Sequence, residues 1–124
     1  MIDFENAKYL KLKKVDNGTY APQVEPILVN GEAILSTYKA IRDGVVFTNK
    51  RLVVVNVQGL TGKKVDFTSL PYSKIQAYSV ETAGVLDLDS ELELWFSGLG
   101  RVKLEFTSNS NVSEICRFIS EKVL

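Results

Sequence analysis

From residue 33 onward apolar and polar residues alternate with a period of two, interrupted by turn-forming residues. Alternation of this kind marks half-buried strands, and regular interruption marks an antiparallel sandwich or small barrel. The pattern predicts seven strands, near 34–42, 45–48, 51–57, 63–68, 74–82, 91–97 and 101–107. The densest apolar run, Leu52-Val53-Val54-Val55, is apolar on both faces, as a central strand is. Two reversals frame it. Asp43-Gly44 is a strong signal for a type I′ turn, which needs positive φ at both central residues, and it sets Arg42 opposite Val45 and Ile41 opposite Val46. Asn49-Lys50 is a weaker one, setting Thr48 opposite Arg51 and Phe47 opposite Leu52.

The last two strands form a hairpin whose parity is fixed by the pattern. Leu92, Leu94 and Phe96 alternate with Glu91, Glu93 and Trp95, and Val102, Leu104 and Phe106 with Arg101, Lys103 and Glu105. Apolar must face apolar, because a slip of one residue turns the core side outward. An odd loop follows, and Gly98-Leu99-Gly100 is the expected turn, with Ser97 opposite Arg101, Phe96 opposite Val102 and Leu94 opposite Leu104. Trp95 then lies across from Lys103 on the outer face, in cation–π reach or free to serve an interface.

A helix closes the chain. Val112, Ile115, Cys116, Ile119 and Val123 share one stripe, and Asn111 with Glu114 makes a capping-box variant. The stripe must be buried, and the open mouth of the sheet is the surface available. Cys116 lies on that stripe and reads as a small core residue rather than a nucleophile.

Residues 1–30 are expected to form an N-terminal extension ahead of a domain spanning 31–124. Lys8, Lys11, Lys13 and Lys14 surround Tyr9, Leu10 and Leu12, a spacing that fits a short strand as well as a helix. A lysine-rich arm could touch anionic lipid; a solvated face on an element laid against the sheet is the plainer reading. Residues 20–30 predict a short helix, with Pro22 in its first turn and Pro26 limiting its length.

Composition narrows the chemistry. With 124 residues, 45% hydrophobic and 24% charged, the chain has the make-up of one soluble domain with a single core. Fifteen basic and fifteen acidic residues cancel, so no global field points to nucleic acid. One cysteine fits a reducing compartment, and the opening M-I-D-F-E-N is acidic where a signal peptide would be basic, so a cytoplasmic location is expected. The absence of histidine removes Ser-His-Asp and Cys-His pairs and His-containing zinc sites.

Four blocks carry a family resemblance: D-G-V-V-F-T-N-K-R-L (43–52), N-V-Q-G-L-T-G-K-K (56–64), S-L-P-Y-S-K-I (69–75) and S-V-E-T-A-G-V-L-D-L-D-S-E-L (79–92). They resemble the signature blocks of the bacterial pleckstrin-homology domain family. The resemblance spans about 31–124, and the first thirty residues are similar to a shorter branch of that family. It implies a mainly β fold: a seven-stranded, antiparallel, partly open barrel capped by a C-terminal helix, here with a short N-terminal helical extension. It also implies closed, ring-shaped homo-oligomers and no established ligand, cofactor or enzymatic activity.

No catalytic or metal-binding residues are expected. Asp87-Leu88-Asp89-Ser90-Glu91 opens like a calcium loop but lacks glycine at the sixth position, and Gly98 stands where the twelfth-position Glu belongs. Gly59 to Lys64 has two residues, not four, between its glycines and precedes a strand, so it is no phosphate loop. Phosphoinositide-binding relatives use a basic loop between the first two barrel strands; here the resemblance places Asp43-Gly44 there. Lys39, Arg42, Lys50 and Arg51 remain as a diffuse anion patch, and membrane contact stays a secondary reading.

Charge placement favours self-association. Residues 39–74 hold seven basic side chains against Asp43 and Asp66, whereas 80–93 hold five acidic ones and no basic one. Oppositely charged regions suit head-to-tail contacts, which close into rings when the rotation allows. The expected interface residues are Glu81, Asp87, Asp89, Glu91, Glu93 and Trp95 on one side and Lys50, Arg51, Lys63 and Lys64 on the other. The expected function is thus a non-catalytic oligomeric scaffold or adaptor, its partners being copies of itself and an unidentified protein.

Overall fold

A strand apolar on both faces needs two coverings, and the fold is built to supply them. A computed structural model describes residues 1–6, 9–85, 88–108 and 110–124. Among these, eight strands are present: β1 (Tyr9–Val15), β2 (Ile34–Lys39), β3 (Gly44–Thr48), β4 (Arg51–Gln58), β5 (Lys64–Pro71), β6 (Ile75–Glu81), β7 (Ser90–Phe96) and β8 (Gly100–Phe106). A short helix α1 (Ala21–Val24) and its 3-10 extension (Glu25–Ile27) precede β2, a 3-10 turn (Tyr72–Lys74) joins β5 to β6, and α2 (Val112–Val123) ends the chain. The sheet runs β5-β4-β3-β2-β1-β8-β7-β6 and stays open between β5 and β6.

Both ends of the sheet feed one core. Val45, Phe47, Leu52 and Val54 from β3 and β4 meet Leu92, Leu94, Leu104 and Phe106 from β7 and β8, with Ile115 and Ile119 of α2 closing the mouth. On the outer face of β3 and β4, Val46, Val53 and Val55 pack under Tyr20 and Val24. The apolar run is therefore covered twice, once by the barrel interior and once by α1.

The sheet has eight strands rather than the seven predicted, and it is not wholly antiparallel. β1 pairs antiparallel with β2 through Lys13–Lys39, Lys14–Tyr38 and Val15–Thr37, and parallel with β8 through Tyr9–Leu104 and Leu12–Phe106. Between Tyr9 and Leu12 the register shifts, and Lys11 takes φ 58°. That left-handed residue acts as a bulge, letting two positions three apart both face the core. The same spacing is what made the segment readable as a helix. Residue 30 is accordingly no seam between an extension and a domain. β1 joins the two halves of the sheet, and Ile2 is buried in the core with its N–H donating to Thr68 Oγ1 at 3.1 Å.

Two turns differ from expectation. The β2–β3 register is Tyr38–Val45 and Lys39–Gly44, with Ala40 N–H donating to Asp43 O at 2.8 Å, so Ala40 to Asp43 make a four-residue turn and Gly44 already belongs to β3. Gly44 serves close approach: a Cβ there would lie 2.4 Å from the Tyr38 carbonyl oxygen and 2.6 Å from the Tyr20 ring. Asp43 accepts from Val57 N–H at 2.8 Å, fastening the turn to β4. The Phe47–Leu52 pairing holds. In the last hairpin the parity is right and the register is two residues away: Phe96 faces Gly100, Leu94 faces Val102 and Leu92 faces Leu104. The loop is Ser97-Gly98-Leu99, with Gly98 at φ 81°, and Trp95 lies opposite Arg101 rather than Lys103.

Asn111 Oδ1 accepts from Glu114 N–H at 3.2 Å, starting α2. Val112, Ile115 and Ile119 are buried, whereas Cys116 is only half-buried and is not a core residue. Phe118, partly buried, packs against the core edge-on to Tyr72 with centroids 5.4 Å apart. The Tyr78 hydroxyl donates to Ser120 Oγ at 2.8 Å, tying α2 to β6.

Adding one methyl group tests the packing at Gly44. Gly44→Ala forces Tyr20 and the β2 backbone apart, and overpacking of this kind costs about 1–3 kcal/mol. Thermal unfolding should show a melting temperature several degrees lower, and an unchanged value would show that the close approach relaxes freely.

Candidate functional site

The outer face of β6, β7 and β8 has no covering like α1 among the described residues, and it collects most of the expected acidic residues. Glu91, Glu93 and Trp95 alternate outward on β7, and Glu81 is the exposed last residue of β6, opposite Glu91. β8 sets cations beside them. Lys103 Nζ lies 3.3 Å from Glu91 and 4.0 Å from Glu93, and Arg101 Nε lies 3.5 Å from Glu93. Glu91 and Glu93 therefore already have partners within the chain, in exposed pairs worth under about 1 kcal/mol each. Asp89 is ion-paired with Lys11. Asp87, like Lys8, lies outside the described residues.

Burial, followed by the nearby Asp89 carboxylate, raises the Glu105 carboxyl above its ordinary value. Trp95 is 47% exposed and Leu10 equally so. With Phe4 and Leu99 they line a groove of about 620 Å³, rimmed by Arg101 and Lys103. An aromatic flanked by aliphatic side chains and fixed charges has the make-up of an interaction centre.

The basic residues divide into two groups. Arg42 sits in the turn before β3 and Lys39 at the end of β2, whereas Lys50 and Arg51 sit at the turn after β3. These turns lie at opposite ends of a five-residue strand, roughly 15 Å apart. The four residues thus do not converge into one anion patch. Lys63 and Lys64, both exposed, join the Arg42 end, where Arg42 Nη2 donates to Gly59 O at 2.6 Å.

Arg51 is a structural clasp. It donates to Glu32 through Nε at 2.8 Å and Nη2 at 2.9 Å, to Ile27 O at 2.6 Å and to Ser69 Oγ at 2.9 Å. Four of its five N–H groups are engaged with Glu32, the 3-10 extension of α1 and β5, which takes it out of any surface contact. Glu32 also accepts from Thr48 Oγ1 at 2.7 Å and Val29 N–H at 3.1 Å. Burial alone would raise its carboxyl, but the hydrogen bonds from Arg51, Thr48 and Val29 outweigh this and hold it at about 2. No spacing in the sequence links Glu32 to Arg51; only the fold brings them together.

Among the described residues, no group of three or more His, Cys, Asp or Glu side chains gathers to hold a metal ion. Among the same residues, no helix is long and apolar enough to cross a membrane.

An open sheet curled round one core, its mouth closed by a C-terminal helix, is the pleckstrin-homology class of fold. The family model described as bacterial PH domain matches residues 3–123, and the chain belongs to that family. It is 46% identical over 96 residues to the uncharacterized protein YjqA of Bacillus subtilis (strain 168), covering 76% of this chain and 77% of YjqA. The crystal structure of a DUF1696 family protein with a pleckstrin-homology domain from Shewanella loihica PV-4 aligns with a TM-score of 0.80 at 39% identity, covering 93% of this chain and 99% of that one. A pleckstrin-homology domain from Shewanella amazonensis SB2B aligns with a TM-score of 0.67 at 41% identity, covering 96% and 93%.

The clasp makes stability depend on acid. Because folding depresses the Glu32 carboxyl, its contribution is complete above the ordinary value of 4.5 and is lost as pH falls toward 2. The shift corresponds to roughly 3 kcal/mol for this buried side chain. Urea unfolding of wild type and Glu32→Gln should differ by that order at neutral pH and converge near the acid limit. A constant gap at every pH would show that the ion pair is not its source.

Proposed function

We propose that the protein is a non-catalytic module that assembles head to tail with copies of itself, closes into a ring, and acts as an oligomeric scaffold or adaptor. The open sheet carries this reading. β5 and β6 stand at its two ends, and among the described residues each pairs with a strand on one side only. An unpaired edge is a template for another strand, and proteins that keep one exposed usually shield it or use it. Here the ends of the two edge strands differ in charge: β5 begins at Lys64, just after Lys63, and β6 ends at Glu81. Opposite charges at these two strand ends favour a heterologous contact of one copy's β5 with the next copy's β6, the type that closes by rotation. Trp95 lies one strand in from β6, opposite Ala77, where it would supply the apolar centre of such a contact. The ion pairs of Glu91 and Glu93 leave Glu81 as the acidic residue best placed to steer it.

Light scattering coupled to size exclusion at micromolar concentration tests this reading. Wild type should elute at a fixed multiple of the chain mass. Trp95→Ala combined with Glu81→Lys should shift it to smaller species, with its circular dichroism unchanged because both side chains are exposed. A strictly monomeric wild type, or an assembly indifferent to both substitutions, overturns it.

A further inference from the structure

α2 closes the mouth of the barrel unevenly. It packs against β6, β7 and the 3-10 turn that joins β5 to β6. Toward the start of β2 it leaves a cavity of about 250 Å³. The floor is apolar, made by Tyr38 and Phe47 of the strands and Ile115 and Phe118 of the helix. Phe47 stands edge-on to both other rings, with centroids 5.8 Å from Tyr38 and 6.2 Å from Phe118.

The rim carries chemistry of another kind. Lys14 of β1 and Glu114 of α2 both border the cavity, and both are exposed. Among the described residues, neither lies within ion-pairing distance of an opposite charge. The β1–β2 register sets Lys14 beside Tyr38. Glu114 is held from the other side, where its backbone N–H donates to Asn111 Oδ1 at 3.2 Å. Its carboxylate acts on the Tyr38 hydroxyl: burial raises that hydroxyl above its ordinary value, the Ser36 side chain opposes the rise, and Glu114 adds to it. Ser36 reaches the rim beside a bulge, since Ile34 faces Thr48 and Ser36 faces Phe47. Bulges of this kind re-aim side chains and recur next to functional sites.

We propose that this cavity binds a free α-amino acid with an apolar side chain, of the leucine or phenylalanine type. The aromatic floor takes the side chain, Lys14 faces the carboxylate and Glu114 faces the ammonium group. Two observations select this class. The volume falls below that of drug-sized sites, which leaves room for a small metabolite and not for a peptide or a folded partner. Opposite charges left unpaired on one rim suit a ligand carrying both signs, because a lone anion would meet Glu114 and a lone cation Lys14. Few polar groups at the edge of an apolar pocket fix orientation, while burial of the side chain supplies most of the affinity. The site uses neither Trp95 nor Glu81 and is independent of self-assembly.

Isothermal titration calorimetry on the full chain provides the test. The probes are L-phenylalanine, L-leucine, N-acetyl-L-phenylalanine, which keeps only the carboxylate, and L-phenylalanine amide, which keeps only the ammonium group. Wild type should bind both amino acids, and each single-charge analogue about tenfold more weakly than L-phenylalanine. Lys14→Gln and Glu114→Gln should each weaken L-phenylalanine roughly tenfold. Glu114→Gln should also lose the preference over the N-acetyl analogue, and Lys14→Gln the preference over the amide, because each removes the partner of the charge that the analogue lacks. Both side chains are exposed, and Gln serves the third position of a capping box as Glu does, so the melting temperature should not move. No binding of either amino acid at about 10 mM, analogues that bind as well as L-phenylalanine, or undiminished binding by either variant overturns the proposal. A wild type that binds L-phenylalanine as a strict monomer supports this site while the ring reading fails.

Discussion

The β3–β4 hairpin has no polar face, and the rest of the fold answers to that constraint. Val45, Phe47, Leu52 and Val54 point into the barrel while Val46, Val53 and Val55 point out of it. Fully burying an aliphatic side chain is worth about 1.5–3 kcal/mol, so leaving the outer three in water would forfeit several kcal/mol. Residues 20–27 prevent this by lying across the outer face, with Tyr20 and Val24 as the packing surface. Their position is fixed at both ends. The Tyr20 hydroxyl donates to Arg42 O at 2.8 Å, and Arg51 holds Ile27 O and Glu32 at the other end. Gly44 is the small residue that lets Tyr20 come that close.

This covering leaves the sheet asymmetric. The β2–β5 half is closed in around β3 and β4, whereas the β6–β8 half shows its outer face to solvent with Trp95 half exposed at its centre. β1 bridges the two halves by pairing antiparallel with one and parallel with the other. The arrangement fills the interior of the sheet order with paired strands and leaves β5 and β6 as its margins. Surfaces available to a partner therefore lie at those margins, on the uncovered face, and at the turns between strands.

Much of this was legible in the alternation of side chains, because burial on one face leaves a period-two imprint that survives without coordinates. The double-faced run at 52–55, the odd loop after Phe96 and the Asn111 cap all follow from residue types close in sequence. What escaped depends on contacts between distant residues. Asp43-Gly44 resembles a two-residue turn, yet Gly44 is required by the Tyr20 ring, whose approach no local pattern records. Tyr9 and Leu12 share a face only because Lys11 is left-handed, a conformation a lysine does not advertise. Arg51 carries the same formal charge as Lys50, and only Glu32, nineteen positions away, separates a buried clasp from an exposed cation. For the same reason the acidic run at 80–93 overstated the free negative charge: Lys103, Arg101 and Lys11 neutralise much of it within the chain.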